Sequence, residues 1–186
     1  VKLLAFDTSA AHCAAALLTD GQVMTSVTLM SVGQAEALMP VLETLLTDSG
    51  LAWGDLDAIA VGIGPGNFTG IRIGVAAARG LALGLGIPAV GVSGFEAAAW
   101  GQTLPATVLL PAPRGEVYSQ RLYPDHADPP VVTQGTAVPT DPVALVTAIA
   151  HVAATKAAKV QPRPAPLYVR AADAAPARDP LPVILP

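Results

Sequence analysis

Asp7-Thr8-Ser9 closes the first apolar run and is the earliest place where the chain gathers groups able to do chemistry. An Asp followed by two hydroxyl residues commonly satisfies a turn through its own side chain, and one carboxylate by itself makes no site. The second such place is Val61-Gly62-Ile63-Gly64-Pro65-Gly66-Asn67-Phe68-Thr69-Gly70-Ile71-Arg72-Ile73-Gly74. A glycine-rich turn before a helix exposes N–H groups that attract anions. The phosphate motifs are nevertheless missed. No Lys-Ser or Lys-Thr follows the glycines as a P-loop needs, and the spacing Gly62, Gly64, Asn67 departs from the dinucleotide fingerprint. His12, His126 and His151 are isolated from each other, so no zinc or iron site is expected. The single cysteine, Cys13, excludes an internal disulfide and agrees with a reducing cytoplasm.

The glycine run needs a strand before it and a helix after it. Ala58 to Ile63 reads as a short buried strand, Gly64-Pro65-Gly66 as a tight reversal, and Asn67 or Thr69 as the cap of a helix reaching Leu85 before Gly86 and Pro88. Within that helix Gly70, Gly74, Ala77 and Leu81 form a stripe almost without side chains, with Gly80 and Gly84 on a neighbouring line. Each helical glycine costs about 1 kcal/mol against alanine, so four of them imply a packing reason. A smooth stripe lets a second helix approach closely, by analogy with membrane helices. The pattern fits equally a helix packed on its own sheet and one packed on a partner. Arg72 and Arg79, seven apart, share one face and could pair with acids across such a seam.

From the start of the chain, Lys2–Phe6, Cys13–Leu18 and Val23–Leu29 read as an antiparallel meander, with Asp20-Gly21 in the hairpin turn. Gln34 to Gly50 is a helix whose Ala35, Leu38, Met39, Leu42, Leu45 and Leu46 follow amphipathic spacing; Pro40 either lies in its first turn or kinks it. Ala89–Val92 is a strand, and Ser93-Gly94-Phe95-Glu96 a capping box. Ala106–Leu110 opens a second lobe, Arg114-Gly115 a turn into the Glu116–Tyr123 strand, and Pro124–Pro139 a loop. Asp141-Pro142 starts a last helix, and Asp173–Pro186 is a proline-punctuated tail without fixed structure.

With 186 residues, 52% of them hydrophobic, the chain can fill a core that must be aliphatic, since aromatics are only 4%. Arg72 and Arg79 interrupt the longest apolar run, so no membrane span is expected. Val1–Phe6 leads straight to Asp7 without a basic segment and signal core, and a cytoplasmic location follows as the expectation. Ten basic residues are scattered among fourteen acidic ones for a net charge of −4, which argues against independent nucleic-acid binding.

Gly64-Pro65-Gly66-Asn67-Phe68-Thr69-Gly70-Ile71-Arg72-Ile73-Gly74, continued by Ala78-Arg79-Gly80-Leu81-Ala82 and Gly86-Ile87-Pro88, resembles the signature of the TsaB (YeaZ) family. The likeness covers residues 1 to about 123 and returns at 165–174, where Pro166, Tyr168 and Arg170 resemble the family's closing block. The resemblance implies an α/β, actin-like (ASKHA, ribonuclease H-like) fold of two lobes, 1–100 and a degenerate, shortened 101–174, followed by a Pro-rich tail at 175–186. It also implies a non-catalytic scaffold in making threonylcarbamoyladenosine in tRNA, binding and activating TsaD, possibly with TsaE, and pairing with itself when alone. Contact with tRNA would be indirect. The implied interface takes in Leu38, Leu42, Leu45, Phe68, Thr69, Gly70, Arg72, Ile73, Gly74, Ala77, Arg79 and Leu81. No catalytic residue and no cofactor is expected. The alternative is an actin-like ATPase or kinase, for which Asp7 is the candidate ligand of ATP and magnesium. Against it, Pro111-Ala112-Pro113 stands where relatives show Asp-Ala-Arg, and a proline neither binds magnesium nor acts as a base. A metallopeptidase is the remote alternative; Gln34 and Leu38 occupy the positions its histidines would need.

Overall fold

Strands covered on both faces carry no polar side, and three strands of this chain are written that way. In the computed structural model, which describes residues 1–159 and 161–170, β1 (Leu3–Asp7), β2 (His12–Thr19) and β4 (Ala58–Gly62) are buried almost throughout. The expected tail at 175–186 lies outside the described residues. With β3 (Gln22–Leu29) and β5 (Ala89–Val92) these strands form one mixed sheet of order β3-β2-β1-β4-β5. The β1/β2 and β2/β3 pairs are antiparallel, whereas β4 runs parallel to both β1 and β5. Asp20 and Gly21 both adopt positive φ, as the two-residue hairpin turn between β2 and β3 requires.

Alternation along the strands divides the core in two. Leu4, Phe6, Ala15, Leu17, Ile59 and Val61 face α1 (Gln34–Ser49) and α2 (Phe68–Leu85). On the other face Leu3, Ala5, Ala14, Ala16, Ala58 and Ala60 meet α4 (Pro142–Ala157), whose Ala148, Ala150 and Ala153 let the helix approach closely. Alanine against alanine is how a chain with so few aromatics closes this layer. On α1, Leu38, Leu42, Leu45 and Leu46 are buried, each contributing about 1.5–3 kcal/mol by leaving water. Pro40 sits beyond the first turn, inside α1, with its ring exposed, and it removes the hydrogen bond that an N–H there would give the Glu36 carbonyl.

The second sheet is a small antiparallel one, β6 (Ala106–Pro111), β7 (Glu116–Leu122) and β8 (Val131–Gln134), packed on α3 (Gly94–Ala98) through Phe95, Val108, Leu110 and Tyr118. β8 corrects the expectation of a continuous loop over 124–139: four residues between prolines pair with β7 as an edge strand. α4, from the segment assigned to the second lobe, covers the back of the first sheet instead. Further on, the chain reaches the turn between β4 and α2, where Leu167 N–H donates to the Ile63 carbonyl at 2.8 Å.

Candidate functional site

The glycines of the β4–α2 run answer to the turn after β1. A Cβ at Gly62 would overlap the Asp7 carboxylate, one at Gly66 the Ser9 carbonyl and one at Gly70 the Thr8 carbonyl; at Gly74 it would lie 2.9 Å from Thr8 Oγ1. Spaced by four, Gly62, Gly66, Gly70 and Gly74 thus clear a seat for Asp7-Thr8-Ser9. Hydrogen bonds hold the seat closed: Thr8 Oγ1 donates to the Gly70 carbonyl at 2.7 Å and Asn67 N–H to the Ser9 carbonyl at 2.6 Å. Asn67 also caps α2, its side chain accepting from Gly70 N at 2.9 Å.

Asp7 is 2% exposed, and one of its oxygens is held from within the chain. Its Oδ1 accepts from Ser9 N and Ser9 Oγ, both at 2.9 Å, and from His12 Nε2 at 2.7 Å. The expected turn-forming role of Asp7 is therefore present, with a partner that sequence reasoning missed. His12 is 4% exposed because it opens β2 beside the end of β1. A polar residue at the first position of an apolar strand was the available signal. Next to it, burial and then the Asp7 charge push the Cys13 thiol up to about 11, so it is an inert core residue.

Asp7 and His12 line a cleft of about 380 Å³ between the Gly-rich turn, Pro111 and the start of α4. An actin-like phosphotransferase would place magnesium and phosphates there. The residues present do not fit them: Asp7 Oδ1 is fully engaged, Oδ2 lies against Gly62, the facing wall is Pro111, and among the described lining residues there is no Lys or Arg. Nor do three His, Cys, Asp or Glu side chains gather anywhere among the described residues.

The second candidate surface is the outer side of α1 and α2. Here the structure separates the residues expected to make an interface. Leu38, Leu42 and Leu45 face the core and present no area to a partner. Gly70 and Gly74 are sealed against Thr8, so a bulky residue at Gly74 would disturb the fold, not a partner. Ile73, Ala77 and Leu81 are partly buried against the α1-side core. Phe68 is half-covered: Arg72 Cζ stands 3.7 Å above its ring, Tyr168 stacks on it at 4.7 Å, and Arg72 Nε donates to Tyr168 Oη at 2.8 Å. Thr69 and Arg79 are exposed. The smooth stripe lies on the neighbouring line: Ala76, Gly80, Leu83 and Gly84 are exposed, Leu83 by 82%, and a Cβ at Gly80 or Gly84 would meet nothing within 4 Å. Beside it α1 shows Ala35, Met39 and Pro40. α2 has the length and apolarity of a membrane span, yet its inner side packs on β4 as a core helix does.

The family model for TsaD, tRNA N6-adenosine threonylcarbamoyltransferase, matches residues 29–126, more than half of the chain. The tRNA threonylcarbamoyladenosine biosynthesis protein TsaB of Escherichia coli is 39% identical over 123 residues, 63% of this chain and 53% of that protein. TsaB of Bacillus subtilis is 38% identical over 123 residues, 64% and 54% of the two chains. The chain thus spans about half the length of the curated relatives it matches. The structure of YeaZ from Pseudomonas aeruginosa superposes with a TM-score of 0.69 at 27% identity, covering 90% of this chain and 99% of that one. The mixed five-stranded sheet is accordingly the actin-like (ASKHA) fold. With a glycine run cut to fit its own β1 turn, and with these relatives in both sequence and structure, the chain belongs to the TsaB (YeaZ) family.

Proposed function

We propose that this chain serves threonylcarbamoyl transfer to the adenosine next to the tRNA anticodon as a scaffold, docking the outer side of α1 and α2 on matching helices of a TsaD-type subunit. The observation that carries the reading is the bare outer line of α2, Ala76-Gly80-Gly84 with Leu83 projecting, in a chain whose cleft acid is tied through Oδ1 to Ser9 and His12. An exposed smooth helix flanked by another exposed helix gains most by packing against a second pair. The catalytic groups and most of the contact with tRNA would belong to the partner, in keeping with a net charge of −4. Without that subunit the same patch would join two copies about a two-fold axis. Ala76→Trp tests this on an exposed position outside the core. It should keep the circular dichroism and melting of the parent and lose copurification with the TsaD-type subunit; retained copurification would count against the reading.

A further inference from the structure

Most cations of the described chain are occupied. Lys2 faces Asp55, Lys156 Glu96 and Arg170 Glu116; Arg72 bonds Tyr168, Arg121 lies over Tyr123, and Arg114 is also engaged. Arg79, Lys159 and Arg163 are the remainder, their side chains without a partner among the described residues, and all three line one groove. The groove, of about 620 Å³, runs between the C-terminal half of α2, the start of β5, Lys159 and residues 161–164. Its apolar lining is Leu83, Ile87, Pro88, Ala89 and Pro164, and no Asp or Glu is among its described lining residues.

Two demands follow from this lining. Three like charges gathered in a chain of net charge −4 repel one another until a counter-charge arrives. The aliphatic lining, with Leu83 82% exposed, calls for apolar cover. A nucleic-acid strand meets only the first demand, because single strands are held by aromatic stacking platforms and no aromatic residue is among the described lining residues. A peptide carrying both carboxylates and leucines meets both.

We propose that the groove receives an acidic, leucine-bearing segment of a partner protein, its aliphatic side chains on Leu83, Ile87 and Pro164 and its carboxylates on Arg79, Lys159 and Arg163. The groove borders the α1–α2 docking surface and shares Gly80 and Leu83 with it. Ala76 does not line the groove, so Ala76→Trp blocks the docking surface and leaves the groove intact.

The test uses the full chain and a short fluorescein-labelled peptide of Glu, Asp and Leu, read by anisotropy. Controls are the same peptide with serine for leucine and a short single-stranded RNA. The acidic leucine peptide should bind, weaken with salt, and lose about tenfold in affinity in Arg79→Glu and in Arg163→Glu, whereas Arg79→Lys and Ala76→Trp keep it. Equal binding of the serine peptide, or unchanged binding in the charge reversals, overturns the proposal. Tighter binding of the RNA, lost in the same variants, would make the groove a phosphate site. Self-association abolished by Arg79→Glu with no peptide bound would assign the groove to a second copy. Peptide binding gained only when Val183 and Ile184 are changed to serine would assign it to the chain's own C-terminal residues. Each of these three results also overturns it.

Discussion

Replacing Gly70 and Gly80 by alanine, one at a time, should move stability in opposite directions although both lie in α2. At Gly70 the new methyl falls on the Thr8 carbonyl oxygen, and that backbone has little room to yield. Thr8 is 1% exposed, its hydroxyl is bound to the Gly70 carbonyl, and the next residue is held by Asn67 N–H. Overpacking of this kind costs about 1–3 kcal/mol, and the helical preference for alanine returns at most about 1 kcal/mol. Because the methyl overlaps a backbone carbonyl outright, the cost stands at the upper end of that range, and the net loss of about 2 kcal/mol lowers the melting temperature by roughly 4–8 °C in a domain of this size. At Gly80 a Cβ meets nothing within 4 Å, so only the propensity gain of about 1 kcal/mol remains. That gain raises the melting temperature by roughly 2–4 °C. Calorimetric melts of the two variants beside the parent decide it. If Gly70→Ala is as stable as the parent, or if both substitutions shift the melt the same way, the division of α2 into a sealed and an open glycine line is wrong.

His12→Ala leaves the buried Asp7 carboxylate short of one partner and should destabilise the fold by about 3 kcal/mol in urea titrations; a loss within experimental error would mean that the pair does not form. Cys13, with its thiol pushed from 9.0 up to about 11, should resist a thiol reagent at pH 8 in the folded protein and react once the chain is denatured. Because its folded value is raised, the unfolded chain releases this proton first. Its contribution to stability is full below pH 9 and declines as pH rises through about 11, which denaturant midpoints across that range would register.

Period and punctuation made most elements legible before any coordinates. The Asp20-Gly21 hairpin, the Asn67 and Asp141 caps, and the Ser93/Glu96 capping box are all local chemistry, and all are present. The orientation of the glycines was not legible, because glycine satisfies a buried close approach and a bare surface equally well. Gly70 and Gly80 differ only in what the fold brings to them, the Thr8 carbonyl in one case and open space in the other. The same limit hid the Asp7–His12 pair, which depends on β1 and β2 lying side by side. β8 escaped notice because four residues between prolines offer too short a pattern, and no periodicity says which sheet α4 will cover.

The most direct measurement is the mass of the species formed when the full chain is mixed with a TsaD-type subunit, by light scattering, with threonylcarbamoyl transfer to tRNA assayed on the same mixture. A stable complex of the two chains, with transfer that neither shows alone and that Ala76→Trp abolishes, is the expected result. Two chains that elute apart, or full transfer by the TsaD-type subunit without this one, would contradict a scaffold role.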